Sequence, residues 1–223
     1  MTDGDHAGRS HAIVGGLEVI DLGRLSYDAA YAIQQERLDA RVRGEVPDAL
    51  LLVEHDPVVT RGRRSPDDDA AGVDVPVFTV ERGGEATYHG PGQLVAYPIV
   101  QLPEGRRDLH AYLRDLESVV IDALAELGVE GRREEGLTGV WIGDRKVCSI
   151  GVAVRRWVTW HGLALNVTTD LDAFRSFRPC GLRPDVMTRV ADHVDGEETP
   201  GALLDRARAA VAAAFRARFE ARA

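Results

Sequence analysis

The sequence predicts a mixed-sheet α/β or α+β domain, and three observations carry that prediction. Strand-like and helix-like segments alternate along the chain. Three late segments, residues 139–142, 146–155 and 157–167, have the length and alternation of adjacent antiparallel strands, the first two joined by a Gly143-Asp144 turn. The chain of 223 residues is 44% apolar and 28% charged. That is ample for a buried core and unlike a disordered or fibrous composition.

The elements follow in order. Residues 1–15 are polar and glycine-bearing and read as a loose N-terminal tail, leaving 16–223 as a single domain. Leu17 to Leu22 alternates as a first strand. Ser26 has the character of an N-cap for a helix carrying Tyr27, Ala30, Tyr31, Gln34 and Leu38 at helical spacing and ended by Gly44. Ala49 to Val53 is a continuous apolar run, the pattern of a strand covered on both faces. Arg61 to Asp74 is charged and reads as a solvated loop, and Pro76 to Val80 and Leu94 to Val100 as strands around a glycine-rich stretch. From Asp108 to Leu127 the stripe Leu109, Tyr112, Leu113, Leu116, Val119, Val120, Ala123, Leu124 and Leu127 predicts a long helix before Gly128. Thr199-Pro200 opens a last helix with the stripe Leu203, Leu204, Ala207, Val211, Ala214 and Phe215.

Charge and composition exclude several function classes. With 36 acidic residues against 27 basic ones the net charge is −9, which argues against a general nucleic-acid or anionic-membrane binder. No apolar run of the chain is long enough for a membrane span, which takes about 18 residues or more. Cys148 and Cys180 are too few for a disulfide framework, and the first residues lack the segments of a signal peptide, so the expectation is a reduced, cytoplasmic protein. Of the basic residues 26 are arginine, and Lys146 is the only lysine. Arginine replaces lysine in most solvating and pairing roles but stays protonated near neutral pH, so a sole lysine suggests a task that needs an amine.

The stretch Arg82 to Gln93 holds the densest group of backbone-permissive residues. Its glycines let a ligand approach backbone N–H groups while Arg82, Tyr88 and His89 offer polar specificity; the plainer alternative is a long turn. It is not a dinucleotide loop, since Val95 stands where GxGxxG needs its last glycine, and no GxxxxGK phosphate loop occurs. Cys148 lies in a strand, where cysteine behaves as a small apolar residue. Cys180 lies in Pro179-Cys180-Gly181 near Arg175, Arg178 and Arg183, a setting that favours a thiolate, although an incidental loop cysteine fits too. A thiol and a titratable amine form a plausible nucleophile and base pair; against this, Lys146 also suits a surface position at a hairpin end. The histidines show no metal-ligand spacing, so no metal site is expected, and no G-x-S-x-G elbow is present.

Five blocks resemble the lipoyl(octanoyl) transferase family. They are residues 51–60 (LLVEHDPVVT), Arg82-Gly83-Gly84 with residues 87–94 (TYHGPGQL), Lys146-Val147 with Ser149-Ile150-Gly151, residues 161–166 (HGLALN), and Pro179-Cys180-Gly181-Leu182. They occur in the family's order over about residues 17–215, and the second and last together are specific. The resemblance implies the biotin and lipoate protein ligase catalytic fold, a central mixed, largely antiparallel sheet flanked by helices, with 16–223 as the catalytic domain. It implies transfer of an octanoyl group from acyl carrier protein to a lysine of a lipoyl domain or of the glycine cleavage H protein. Carried over residue by residue, Cys180 is the acyl-thioester nucleophile and Lys146 its activating and proton-handling partner. Arg82, Gly83, Gly84, Glu85, Ala86, Thr87, Tyr88 and His89, with Ser149, Ile150, Gly151, Gly162, Leu163 and Ala164, match the substrate pocket; His55 and Arg64 match positions near it. Arg61 departs from the apolar residue frequent in the family. The donor is already activated, so no cofactor is implied. An acidic carrier meeting a chain of net charge −9 predicts a local arginine patch, with Arg61, Arg63, Arg64, Arg155 and Arg156 as its members. The expected state is a monomer, and the rival reading is an ATP-dependent lipoate or biotin protein ligase of the same fold.

Overall fold

The computed structural model describes residues 11–14, 16–66, 73–177 and 182–220. Strands β1 (His11–Val14), β2 (Leu17–Leu25), β3 (Asp48–His55), β7 (Gln93–Ile99), β8 (Val140–Ile142), β9 (Arg145–Arg155) and β10 (Val158–Asn166) form one sheet in the order β1-β2-β3-β7-β10-β9-β8. Strands β4 (Val58–Arg61), β5 (Val77–Thr79) and β6 (Thr87–His89) form a second, in the order β5-β4-β6. Helices are α1 (Tyr27–Val42), α2 (Leu109–Glu126) and α3 (Pro200–Phe219). In the large sheet β2 and β3 run parallel and the other pairs antiparallel, so it is mixed and largely antiparallel, as expected.

The parallel pair follows from chain length. A crossover needs a dozen or more residues, and α1 supplies it between β2 and β3. Burial then selects the central strands. Every residue of β7 and β10 is buried, because helices cover both faces of the sheet. On one face Leu50, Leu52, Leu94 and Leu165 pack with Leu116, Val120 and Leu124 of α2 and Leu203, Val211 and Phe215 of α3. On the other, Leu51, Val53, Val95 and Ile99 pack with Ala30 and Leu38 of α1. Asp108 caps α2 by accepting from the N–H groups of His110 and Ala111, and the Thr199 hydroxyl caps α3.

Several expectations need correction. Residues 11–14, read as part of a loose tail, add an edge strand to β2. Val58–Arg61, of which only Arg61 was assigned and to a loop, and Thr87–His89, read as part of a glycine-rich stretch, pair with each other; strands of three or four residues are too short to show a period. Ser26 holds the N-cap position of α1 without a side-chain capping bond. Leu109, placed on the apolar stripe of α2, is exposed at the helix start, while Glu117 lies on the buried face.

Candidate active site

Two blocks separated in sequence become cross-strand neighbours at the centre of the sheet. Ser149, Ile150 and Gly151 of β9 pair with Ala164, Leu163 and Gly162 of β10, and Leu163 and Ala164 pair in turn with Ala96 and Val95 of β7. They form the floor of an open pocket walled by Tyr27 of α1, by Arg82, Gly84, Thr87 and His89, and by Tyr97 and His161. The Gly83-Gly84 turn lies directly on β9, the Gly83 N–H donating to the Val152 carbonyl at 2.9 Å. A Cβ on Gly151 would stand 2.8 Å from the Gly83 carbonyl oxygen, so only glycine lets the turn close there.

Arg82 is buried, and its guanidinium ties its own loop to β4. Nη2 donates to the carbonyl and hydroxyl oxygens of Thr60 at 2.7 and 2.9 Å, and Nη1 to the carbonyls of Gly83 and Glu85 at 3.1 and 2.8 Å. It shapes the pocket wall. His89 continues this polar layer. Gln93 Nε2 donates to Tyr88 O and Asn166 Oδ1. An amide nitrogen only donates, which leaves the oxygen of that amide as acceptor. Gln93 Oε1 accordingly accepts from His89 Nδ1 at 2.7 Å. His89 Nε2 then accepts from Thr60 Oγ1 at 3.2 Å. His55 sits behind His89, its Nδ1 donating to the Leu25 carbonyl and its Nε2 accepting from the Tyr97 hydroxyl.

These histidines are neutral, for one dominant reason. Burial lowers His55 to about 4, His161 to about 3 with help from the Arg82 charge, and His89 well below the ordinary imidazole value. The pocket is therefore lined by uncharged rings, suited to an apolar ligand. His161 also has a φ of 55°, a left-handed conformation unusual inside a strand. Its N–H donates to the buried Gln34 Oε1 at 3.1 Å. The linkage has a definite sign. Unfolded histidine titrates near pH 6.5, so as pH falls below that value the unfolded chain takes up protons the folded one refuses. The stability contributed by these residues is fully present above about pH 6.5 and declines towards pH 4. For buried His55 alone the loss reaches about 3 kcal/mol. Urea unfolding from about pH 7 to about pH 4.5 should show midpoints falling with acidity, and a shallower fall for His55→Gln. An unchanged slope in that variant would remove His55 from the account.

Lys146 is buried at the start of β9, with Nζ 5.1 Å from the centre of the Trp141 ring. Its carbonyl accepts from the Thr188 N–H at 2.9 Å, and the neighbouring Arg145 guanidinium donates to the Met187 carbonyl at 2.7 Å. The segment that re-enters the described structure at Leu182 is thus tied to the lysine strand at Met187-Thr188. Cys180 lies outside the described residues, as do Arg178, Pro179 and Gly181. Cys148 is fully buried among core residues of the sheet.

The other expected site residues divide. Ala86 and Tyr88 turn towards a separate apolar cluster with Phe174, Phe177 and Met187, Tyr88 meeting the Phe174 ring edge-on at 5.6 Å. Glu85 touches the site through its carbonyl to Arg82. Arg64 meets the Gly84 carbonyl through its backbone N–H, and its side chain is exposed, as is that of Arg63. Arg155 pairs with Asp39 nine residues along β9 from Lys146. That separation is about 30 Å in extended chain, so Arg155 stands far along the strand from the lysine. Tyr27, Val95 and Tyr97 line the pocket without having been expected there. Their only sequence signal was membership of apolar stripes, which does not separate core from pocket wall. Among the described residues no three His, Cys, Asp or Glu side chains make a metal-binding group, and no helix is long and apolar enough to cross a membrane.

Known proteins are similar to this chain in sequence or in architecture. Residues 26–216 match the family model of the lipoyl protein ligase A/B catalytic domain. An octanoyltransferase of Geobacter metallireducens is 51% identical over 162 residues, 73% of this chain and 76% of that protein. One of Gloeobacter violaceus is 45% identical over 203 residues, 88% and 87% of the two. Among solved structures, the bi-partite lipoate protein ligase of Thermoplasma acidophilum superposes with a TM-score of 0.72 at 21% identity, over 93% of this chain and 84% of that one.

Proposed function

This chain belongs to the lipoyl protein ligase A/B catalytic-domain family, as an acyltransferase of its octanoyltransferase members, and from that premise we propose the course of its octanoyl transfer in protein lipoylation. The donor is an octanoyl thioester of acyl carrier protein, and the acceptor is a lysine of a lipoyl domain or of the glycine cleavage H protein. Cys180 is the nucleophile and Lys146 the proton carrier. The observation that supports this best is that the chain's one lysine is buried against Trp141 and hydrogen-bonded through its carbonyl to the segment that follows Cys180.

The steps balance without a cofactor. A free thiol is only a few per cent thiolate at neutral pH, and a nearby ammonium raises that fraction. The Lys146 ammonium favours the Cys180 thiolate; the thiolate attacks the thioester carbonyl, a new C–S bond forms as the carrier C–S bond breaks, and the departing carrier thiolate takes its proton from Lys146, which is left neutral. The pocket between the Gly83-Gly84 turn and the paired strands β9 and β10 holds the apolar chain, since its floor includes Ile150, Leu163 and Ala164 and burial keeps its histidines, His89 and His161, neutral. The acceptor amine then attacks the octanoyl-Cys180 thioester, neutral Lys146 takes its proton, and Cys180 departs as thiolate.

Intact-mass measurement tests the intermediate. Incubation with octanoyl carrier protein should add one hydroxylamine-labile octanoyl group to the wild type and none to Cys180→Ser. Cys180→Ser retaining transfer to an acceptor, supported by ATP and free octanoate, would instead establish the ligase reading.

A further inference from the structure

Glu117 has no part in the chemistry above, yet among the described residues it is the only carboxylate buried throughout. It stands on the inner face of α2, where an apolar residue would pack at no electrostatic cost. Three donors meet it. Oε2 accepts from Arg114 Nη1 at 2.6 Å and Arg133 Nε at 3.0 Å, while Oε1 accepts from the backbone N–H of Gly139 at 3.1 Å. Arg133 is itself fixed by the Ser118 hydroxyl and the Arg114 carbonyl.

Gly139 leads directly to Lys146. Its φ of 137° is in the region that favours glycine. A Cβ there would lie 2.5 Å from the Cys148 carbonyl oxygen and 2.8 Å from Lys146 Cε. The lysine stem therefore runs against the Gly139 backbone, with its ammonium over the Trp141 ring. The sheet ladder does not set this placement by itself, because the β8–β9 register slips between Val140 and Trp141. What fixes Gly139 from the helix side is the Glu117 carboxylate.

We propose that Glu117 is a positioning residue for Lys146, holding Gly139 so that the lysine stem is confined between that backbone and Trp141. The proposal rests on the reading of Lys146 as the proton carrier. A carboxylate suits the task because two guanidinium groups offset its burial and leave one oxygen for a charge-assisted bond to the Gly139 N–H.

The sole lysine provides its own probe. Protein labelled with ¹³C-lysine and carrying no lysine in its purification tag shows one ε-methylene resonance, displaced by the Trp141 ring. In Glu117→Gln that resonance is expected to move towards the value of free lysine, with kcat for octanoyl transfer down roughly 10–100-fold and KM for the octanoyl donor within about twofold. Glu126→Gln, on the exposed side of α2, serves as control and should leave both unchanged. An unmoved lysine resonance and unchanged kcat in Glu117→Gln, whatever its melting temperature, overturns the proposal. Should the single variant not fold, Glu117→Gln with Arg133→Met, which removes one of the charges left facing it, is read in the same way. Lys146→Arg measured alongside separates the two levels. Wild-type transfer in that variant defeats the proton-carrier reading, while the Glu117→Gln resonance still reports whether Glu117 holds the lysine.

Discussion

Lys146→Arg should slow modification of the acceptor lysine by roughly 10²–10⁴-fold, the range that a positioned general base contributes. Arginine keeps the charge that favours the Cys180 thiolate, so formation of the acyl-enzyme should fall much less than the second step. It cannot take the acceptor's proton, because a guanidinium does not deprotonate in this range. Single-turnover mixing of octanoyl-enzyme with an acceptor domain resolves the two steps. A second step as fast as in the wild type would show that the amine of Lys146 carries no proton.

Gly151→Val is expected to lower kcat/KM for the octanoyl donor by about 10²-fold, while the chain keeps most of its helical and strand content. The first carbon added at 151 would stand 2.8 Å from the Gly83 carbonyl oxygen and 3.2 Å from Arg82 Cδ. The backbone oxygen cannot turn aside as a side-chain end does, so the whole Arg82–Gly84 turn must lift from β9. That breaks the 2.9 Å bond from Gly83 to Val152 and opens the wall beside Ile150 and Gly162. Steady-state kinetics with a circular-dichroism check read this directly. Undiminished kcat/KM would mean that the turn does not bound the acyl site.

Elements with enough residues to show a period were readable from the chain. The stripe of α2, the cap and proline opening α3, and the late antiparallel strands all rest on short-range spacing and lie within two or three residues of their expected bounds. Strands β1, β4 and β6 were not readable, since three or four residues carry no period and their partners are distant or follow a turn. The site was legible as blocks and not as a shape. Thr87 and His89 face the pocket while Ala86 and Tyr88, between and beside them, face the Phe174 cluster, because alternate residues of a strand point to opposite sides. Glu117 was not picked out by the sequence, because its partners Arg133 and Gly139 lie 16 and 22 residues away.

The sequence by itself determined the fold class, the family resemblance and the singular status of Lys146, because each is a property of residue type and local order. The tertiary structure alone decided which segments meet. It paired 149–151 with 162–164, closed the Gly83-Gly84 turn onto Gly151, buried three histidines in neutral form, and placed Gly139 between Glu117 and the lysine stem. The reason is physical. Register, burial and the electrostatics that burial creates depend on contacts between residues far apart in the chain, and no local pattern encodes the distance between them.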